Sequence, residues 1–153
     1  MVNVWIIYNT KHGNCKKVAE EVGEKLSNKY DVKIKQITEI KPEDLANEKP
    51  DILIVGARIV VGSPDRKIKK FLSRLGKLLE SPISKAATLY THVLKWDASF
   101  AKLPKILKEN NIAENICTDF LGIKMAKMKG PAESGQDNKI KVFIEKVSEF
   151  ISK

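Results

Sequence analysis

A doubly wound α/β fold, five parallel strands with helices on both faces, is what this sequence predicts, and three observations predict it. Short runs rich in Val and Ile alternate with amphipathic segments from one end of the chain to the other. Successive runs are separated by enough chain for a crossover helix, which parallel strands require. The first run empties into a small polar loop containing a glycine and then into a helix, which is how a chain builds a seat for an anion.

Taken in order, the first strand is read at Val2–Tyr8 and the following helix from Cys15 to about Asn28, with Val18, Ala19, Val22 and Leu26 on one stripe. The second strand is read at Val32–Ile37, after which Pro42 and Glu43-Asp44 start a short helix. Ile52–Val55 reads as the third strand, and Ile68, Phe71, Leu72, Leu75 and Leu79 form the apolar face of the helix behind it. A fourth strand is expected at Ala86–Tyr90 and a helix at Ala101–Asn110, where Pro104 lies near the start and is tolerated. The fifth strand is read at Ile116–Ile123, and the last helix carries Ile140, Phe143, Val147 and Phe150 inward. No linker, repeat or low-complexity stretch interrupts this alternation, so residues 1–153 are expected to form a single domain.

A chain of 153 residues can bury a sizeable core without disulfide or metal help. Its two cysteines lie far apart at 15 and 117, and no Cys/His cluster has metal-ligand spacing, so neither a disulfide framework nor a metal is expected. The longest apolar segment, Ile52 to Gly62, is interrupted by Arg58 and falls well short of the roughly 20 residues that cross a bilayer. With no cleavable apolar leader, a reducing cytoplasm is the simplest location. A net charge of +9 favours acidic proteins, anionic cofactors, nucleic acid or anionic lipid as partners. The same lysines, spread along the whole chain, also read as solvated helix faces.

In a doubly wound sheet ligands bind beyond the carboxyl ends of the strands. Three loops should converge there: Asn9–Cys15, Gly56–Pro64 and Thr91–Ser99. In the first, the Thr10 hydroxyl, the Lys11 charge and the backbone N–H groups of His12, Gly13, Asn14 and Cys15 can hold a phosphate. The alternative is a ligand-free helix start capped by Asn14. Cys15 at a helix N-terminus reads either as a small polar group in place of a hydroxyl or as a thiol open to oxidants.

Thr10-Lys11-His12-Gly13-Asn14-Cys15 resembles the Ser/Thr-x-x-Gly-Asn/Ser-Thr phosphate loop of the flavodoxin family, with Cys15 where Thr is usual. Asp51 to Gly62, followed by Lys67-Ile68-Lys69-Lys70-Phe71-Leu72, resembles that family's second flavin loop and the helix after it. The resemblance spans essentially the whole chain and implies strand order 2-1-3-4-5 and an FMN cofactor. It places Ala57, Arg58, Ile59, Val60 and Gly62 along one edge and face of the flavin ring, and Thr91, His92 and Trp96 on its other side. Trp96 would stack on the ring or pack in the core, and His92 would serve the ring or the structure. Ala57–Gly62 also reads as a buried hydrophobic turn. Val60 and Val61 supply no aromatic plate, which would leave one ring face open. The wording Gly56-Ala57-Arg58-Ile59-Val60-Val61-Gly62 is closest to the branch containing menaquinone-dependent protoporphyrinogen dehydrogenase, and the segment from Met128-Lys129-Gly130-Pro131 to Phe150 is loosely similar to it.

The resemblance implies an FMN-binding electron-transfer protein with an acidic redox partner. An alternative is an FMN-dependent oxidoreductase of the protoporphyrinogen dehydrogenase or quinone reductase type, taking a quinone or tetrapyrrole at a basic face that can touch anionic lipid. A third is a flavin-free module binding anions or nucleic acid, although no recognition helix or aromatic-basic RNA signature supports nucleic acid. Arg58, Lys95, Lys11 and His12 would surround the flavin with positive charge and raise its midpoint potential.

Overall fold

The computed structural model describes residues 2–11, 13–60, 62–93, 97–125 and 136–153. β1 (Asn3–Tyr8) leads into α1 (Asn14–Leu26), β2 (Asp31–Gln36), α2 (Pro42–Glu48) and β3 (Ile52–Val60). A two-residue β4 (Ser63–Pro64) precedes α3 (Arg66–Leu78), β5 (Ile83–His92), α4 (Asp97–Phe100) and α5 (Lys102–Glu109). The chain closes with β6 (Ala113–Ile116), β7 (Leu121–Lys124) and α6 (Asp137–Ser152).

The strands form one sheet in the order β2-β1-β3-β5-β6, with parallel pairing along that path and with β7 continuing beside the far end of β5. This is the expected doubly wound sheet of order 2-1-3-4-5. β1 lies between two partners, with Val4 opposite both Val32 and Ile52. Alternate residues therefore feed two cores. Val4, Ile6 and Tyr8 pack against Val18, Val22 and Leu26 of α1 and Ile140, Phe143 and Val147 of α6. Trp5 and Ile7 face the other side, with Leu45 of α2, Ile68, Leu72 and Leu75 of α3, and Leu103 and Leu107 of α5. Covering both faces explains why the central strands β1 and β3 read as nearly unbroken apolar runs.

Three elements differ from the sequence reading. β3 does not stop at Val55 but continues to Val60 and turns back into β4, with Val60 opposite Ser63. Gly62 at φ 74° makes the reversal possible, and the Asp65 N–H donates to the Arg58 carbonyl at 3.1 Å to close it. The fourth strand of the path, β5, is longer at both ends than Ala86–Tyr90. The fifth is broken: β6 pairs Ile116 with Ala86, and β7 pairs Leu121 with Leu89. Five residue steps on one side answer three on the other: the Cys117 N–H still donates to the Ala86 carbonyl at 2.8 Å, and residues 118–120 leave the ladder as a bulge. Among the described residues no helix is long and apolar enough to cross a membrane.

At the edge remote from these loops, the Lys85 Nζ donates to the carbonyls of Phe150 and Ile151 at 2.9 and 3.0 Å and lies 5.5 Å from the Phe150 ring centre. A cation there satisfies the last carbonyls of α6 and opposes the helix dipole. Replacing it by Lys85→Met keeps the aliphatic stem and removes the donors. Chemical denaturation should then show a loss of about 1–2 kcal/mol, with the fold retained.

Candidate functional site

The ends of β1, β3, β5 and β7 surround a cleft at the carboxyl edge of the sheet, lined by Thr10, Lys11, Asn14, Cys15, Arg58, Ile59, Thr91, His92, Val93 and Met125. Its enclosed part is about 40 Å³, room for a few waters or one phosphate-sized group. Anything larger must lie across the open mouth.

The floor is the turn into α1. Gly13 occupies the cap position at φ 85°, a conformation that disfavours any residue with a Cβ. Its N–H donates to the Thr10 Oγ1 at 2.9 Å, and its carbonyl accepts the first helical bond from the Lys17 N–H at 3.1 Å. No side chain caps the helix, so Asn14 is its first residue and not its cap. The N–H groups of the first turn therefore have no acceptor within the helix. Because Thr10 accepts through a lone pair, its own hydroxyl proton stays available to a ligand.

Cys15 is only 1% exposed, and Gly56 creates the space for it. A Cβ at Gly56 would meet Leu89 Cδ1 at 2.8 Å and Cys15 Sγ at 3.2 Å. Burial first, and the Asp65 carboxylate second, push the thiol far above its ordinary pKa, with Arg58 opposing weakly. The thiol stays protonated at neutral pH, which removes the thiolate that reaction with oxidants needs.

The second wall is the β3–β4 hairpin. Ala57 is fully buried in the core beside α2, α3 and α5, so its side chain points away from the cleft. Arg58 and Ile59 line the cleft, while Val60 and Gly62 stand at the hairpin tip. The tip is tethered by Lys102, whose Nζ donates to the Gly62 carbonyl at 2.8 Å, and by Lys69, whose Nζ donates to the Ser63 Oγ at 2.8 Å. At its root, Asp65 caps α3: its Oδ1 accepts from the Ile68 N–H at 3.0 Å and from the Asn9 Nδ2 at 2.9 Å. The Arg58 Nε and the Asp65 Oδ2 are buried with no hydrogen-bond partner among the described residues.

On the third side the strand runs further than expected, so Thr91 and His92 are the last residues of β5 and not part of a loop. Both are buried at the cleft, and the His92 ring meets Phe100 edge-on at 5.2 Å. Ser99 belongs to α4. His12 and Trp96 lie outside the described residues, as do Val61, Lys95 and Met128–Pro131. Sequence reasoning missed the Asn9–Asp65 pair and Met125. An Asp directly before an amphipathic helix is an N-cap signal that would have found Asp65.

An uncapped helix start at the carboxyl edge of a doubly wound sheet, beside the point where strand order reverses, defines a mononucleotide-binding α/β domain. The chain belongs to the flavodoxin domain family, whose sequence model matches residues 5–149. No curated protein matches the sequence. Among solved structures it is similar to a flavodoxin from the domain Archaea, at TM-score 0.74 and 14% identity over 99% of this chain and 100% of that one. It is similar to oxidised flavodoxin 1 from Bacillus cereus, at TM-score 0.73 and 15% identity over 98% of this chain and 97% of that one. It also matches the rubredoxin oxygen:oxidoreductase of Desulfovibrio gigas at TM-score 0.78 and 14% identity, over 98% of this chain but only 36% of that protein.

Family membership brings FMN as the cofactor. The cleft fits it: an uncapped helix turn offers N–H groups to a phosphate, and a buried Arg58 Nε still needs an acceptor.

Two outcomes check this geometry. Thr10→Val should weaken FMN binding roughly tenfold, and Gly13→Ala should weaken it by a similar factor through backbone strain alone, since a Cβ at Gly13 meets nothing within 4 Å. Flavin fluorescence titration reads both. Alkylation of Cys15 by iodoacetamide at pH 8 should be far slower in the folded protein than in denaturant, because the native thiol is protonated there; equal rates would contradict its burial.

Proposed function

We propose that this chain is an FMN-binding electron-transfer protein, its 153 residues acting as one flavodoxin-like domain in the cytoplasm. The observation that carries the reading is the Thr10–Gly13 turn, which closes on itself with no side chain capping α1 and keeps the Thr10 hydroxyl proton for an anion. Thr10, Gly13, Asn14, Cys15 and the adjacent His12 would hold the phosphate, with Lys11 adding charge. Arg58, Ile59, Val60 and Gly62 would border the ring along the tethered hairpin, with Ala57 supporting them from the core. Thr91, His92 and Trp96 would close the other side.

Bound FMN supplies one- and two-electron redox chemistry. Arg58 and Lys11 favour the more negative, reduced state by Coulomb attraction, and the hairpin holds Arg58 at a fixed depth. The net charge of +9 supports an acidic redox protein as partner. A second reading, an oxidoreductase acting directly on a quinone or tetrapyrrole, is favoured by the aliphatic Val60 at the hairpin tip, which would leave a ring face accessible.

The visible spectrum of the purified protein, before and after FMN addition and removal of excess, tests the reading. A bound-flavin spectrum is expected; a colourless protein that ignores FMN would favour an anion-binding module without flavin. In the flavoprotein, Arg58→Gln should lower the midpoint potential by on the order of 40 mV, corresponding to about 1 kcal/mol of lost charge interaction for one electron. An unchanged potential would show that Arg58 does not act on the ring. Turnover of a quinone without a protein partner would favour the enzyme over the carrier.

A further inference from the structure

The break in the fifth strand creates a second concavity. Residues 118–120 leave the ladder, α5 does not cover the gap, and a groove of about 410 Å³ remains between them. That is the size range of pockets for small organic ligands. The groove shares no lining residue with the cleft at the end of β1.

Its chemistry is specific. Phe120 is 45% exposed although its ring stacks on Phe100 at 4.9 Å with an interplanar angle of 27°. Tyr90 meets Phe120 edge-on at 5.7 Å, and its hydroxyl donates to the Phe100 carbonyl at 2.9 Å, which holds the aromatic group in place. Pro104 and Ile116 complete the apolar surface. Lys105 and Lys108 stand on the rim, three positions apart on one helix and so side by side. Lys105 reaches Glu109 at 3.8 Å, but both side chains are exposed and such a pair is weak. No acidic side chain lines the groove among the described residues.

We propose that this groove is a binding site for a small planar aromatic carboxylate, distinct from the flavin cleft. Its ring would extend the offset stack of Phe100 and Phe120, and its carboxylate would lie between Lys105 and Lys108. The two lysines select against a neutral ring, and the rigid aromatic surface selects against a flexible aliphatic chain.

The test is titration of 2-naphthoate into the FMN-loaded protein, followed by calorimetry and by NMR contacts to the Phe120 and Phe100 rings, with 2-naphthamide as the neutral comparator. One saturable site is expected, with naphthoate binding about fivefold or more tighter than the amide. Lys105→Gln combined with Lys108→Gln should remove that preference, and Phe120→Ala should weaken both ligands, with the flavin spectrum unchanged. Since Phe120→Ala can disturb folding, its far-UV circular dichroism is checked, and the exposed lysine pair provides the decisive variant if it does. Absence of saturable binding, equal binding of acid and amide, or insensitivity to the lysine pair would overturn the proposal. So would binding by the flavin-free protein that FMN displaces, since that ligand would be in the flavin cleft. Should the protein hold no FMN at all, the same titration still reads the groove, and only the functional proposal fails.

Discussion

The burial of β1 between two parallel neighbours is the constraint on which the site depends. Its residues from Val4 to Tyr8 are nearly inaccessible, flanked by β2 and β3 and covered on both faces by helices. Strands so enclosed must pair their backbone groups with one another and must return through crossover helices. The turns at one edge of the sheet are thereby all carboxyl-end turns. Thr10, Arg58 and His92 are 34 or more positions apart in sequence, yet each lies just beyond, near or at the carboxyl end of a strand of this sheet and reaches the same cleft.

How much of this is legible in the sequence depends on the range of the cause. The helix stripes and the glycine turn before α1 are local: Val18, Val22 and Leu26 recur at helical spacing, and Gly13 precedes the helix it starts. The ends of β3 and β5 are not local. Gly56 and Arg58 read as the exit from a strand, but β5 offers Leu89, Tyr90 and Thr91 as partners for Gly56, Ala57 and Arg58, and both strands lengthen together. Burial of Cys15 likewise needs the missing side chain of Gly56, far away in the chain. The break in the fifth strand had a faint signal in Thr118-Asp119, polar residues inside an otherwise apolar run, which the Ile116–Ile123 reading passed over.

The hairpin changes the physical character of the second wall. A free loop would lose order each time the cofactor departs, whereas β3–β4 is held by its own pairing, by Lys102 and Lys69 at its tip, and by Asp65 at its root. Rigid placement of a charge reduces the reorganisation that a ligand must drive on binding. It also fixes which charges the ring meets. The sequence reading expected an environment of positive charge alone, from Arg58, Lys11, Lys95 and His12. Asp65 adds a buried carboxylate close enough to raise the Cys15 thiol pKa, while Arg58 acts on the same thiol in the opposite sense.

Opposed charges on one short hairpin do not simply cancel. The Asp65 Oδ1 accepts from Asn9 and from the start of α3, whereas the Asp65 Oδ2 and the Arg58 Nε are both left without a partner among the described residues. An added anion or ring carbonyl would satisfy the Arg58 Nε, while the Asp65 Oδ2 keeps its capacity to accept from a donor. Asp65 thus anchors the hairpin to β1 and α3 through one oxygen, and Arg58 presents a positive charge and an unpartnered donor at the cleft wall. Arg58 draws negative charge to the cleft for a reason that net composition alone does not contain: lysines distributed along the whole surface are screened by solvent, whereas one partly buried arginine on a tethered hairpin is screened much less.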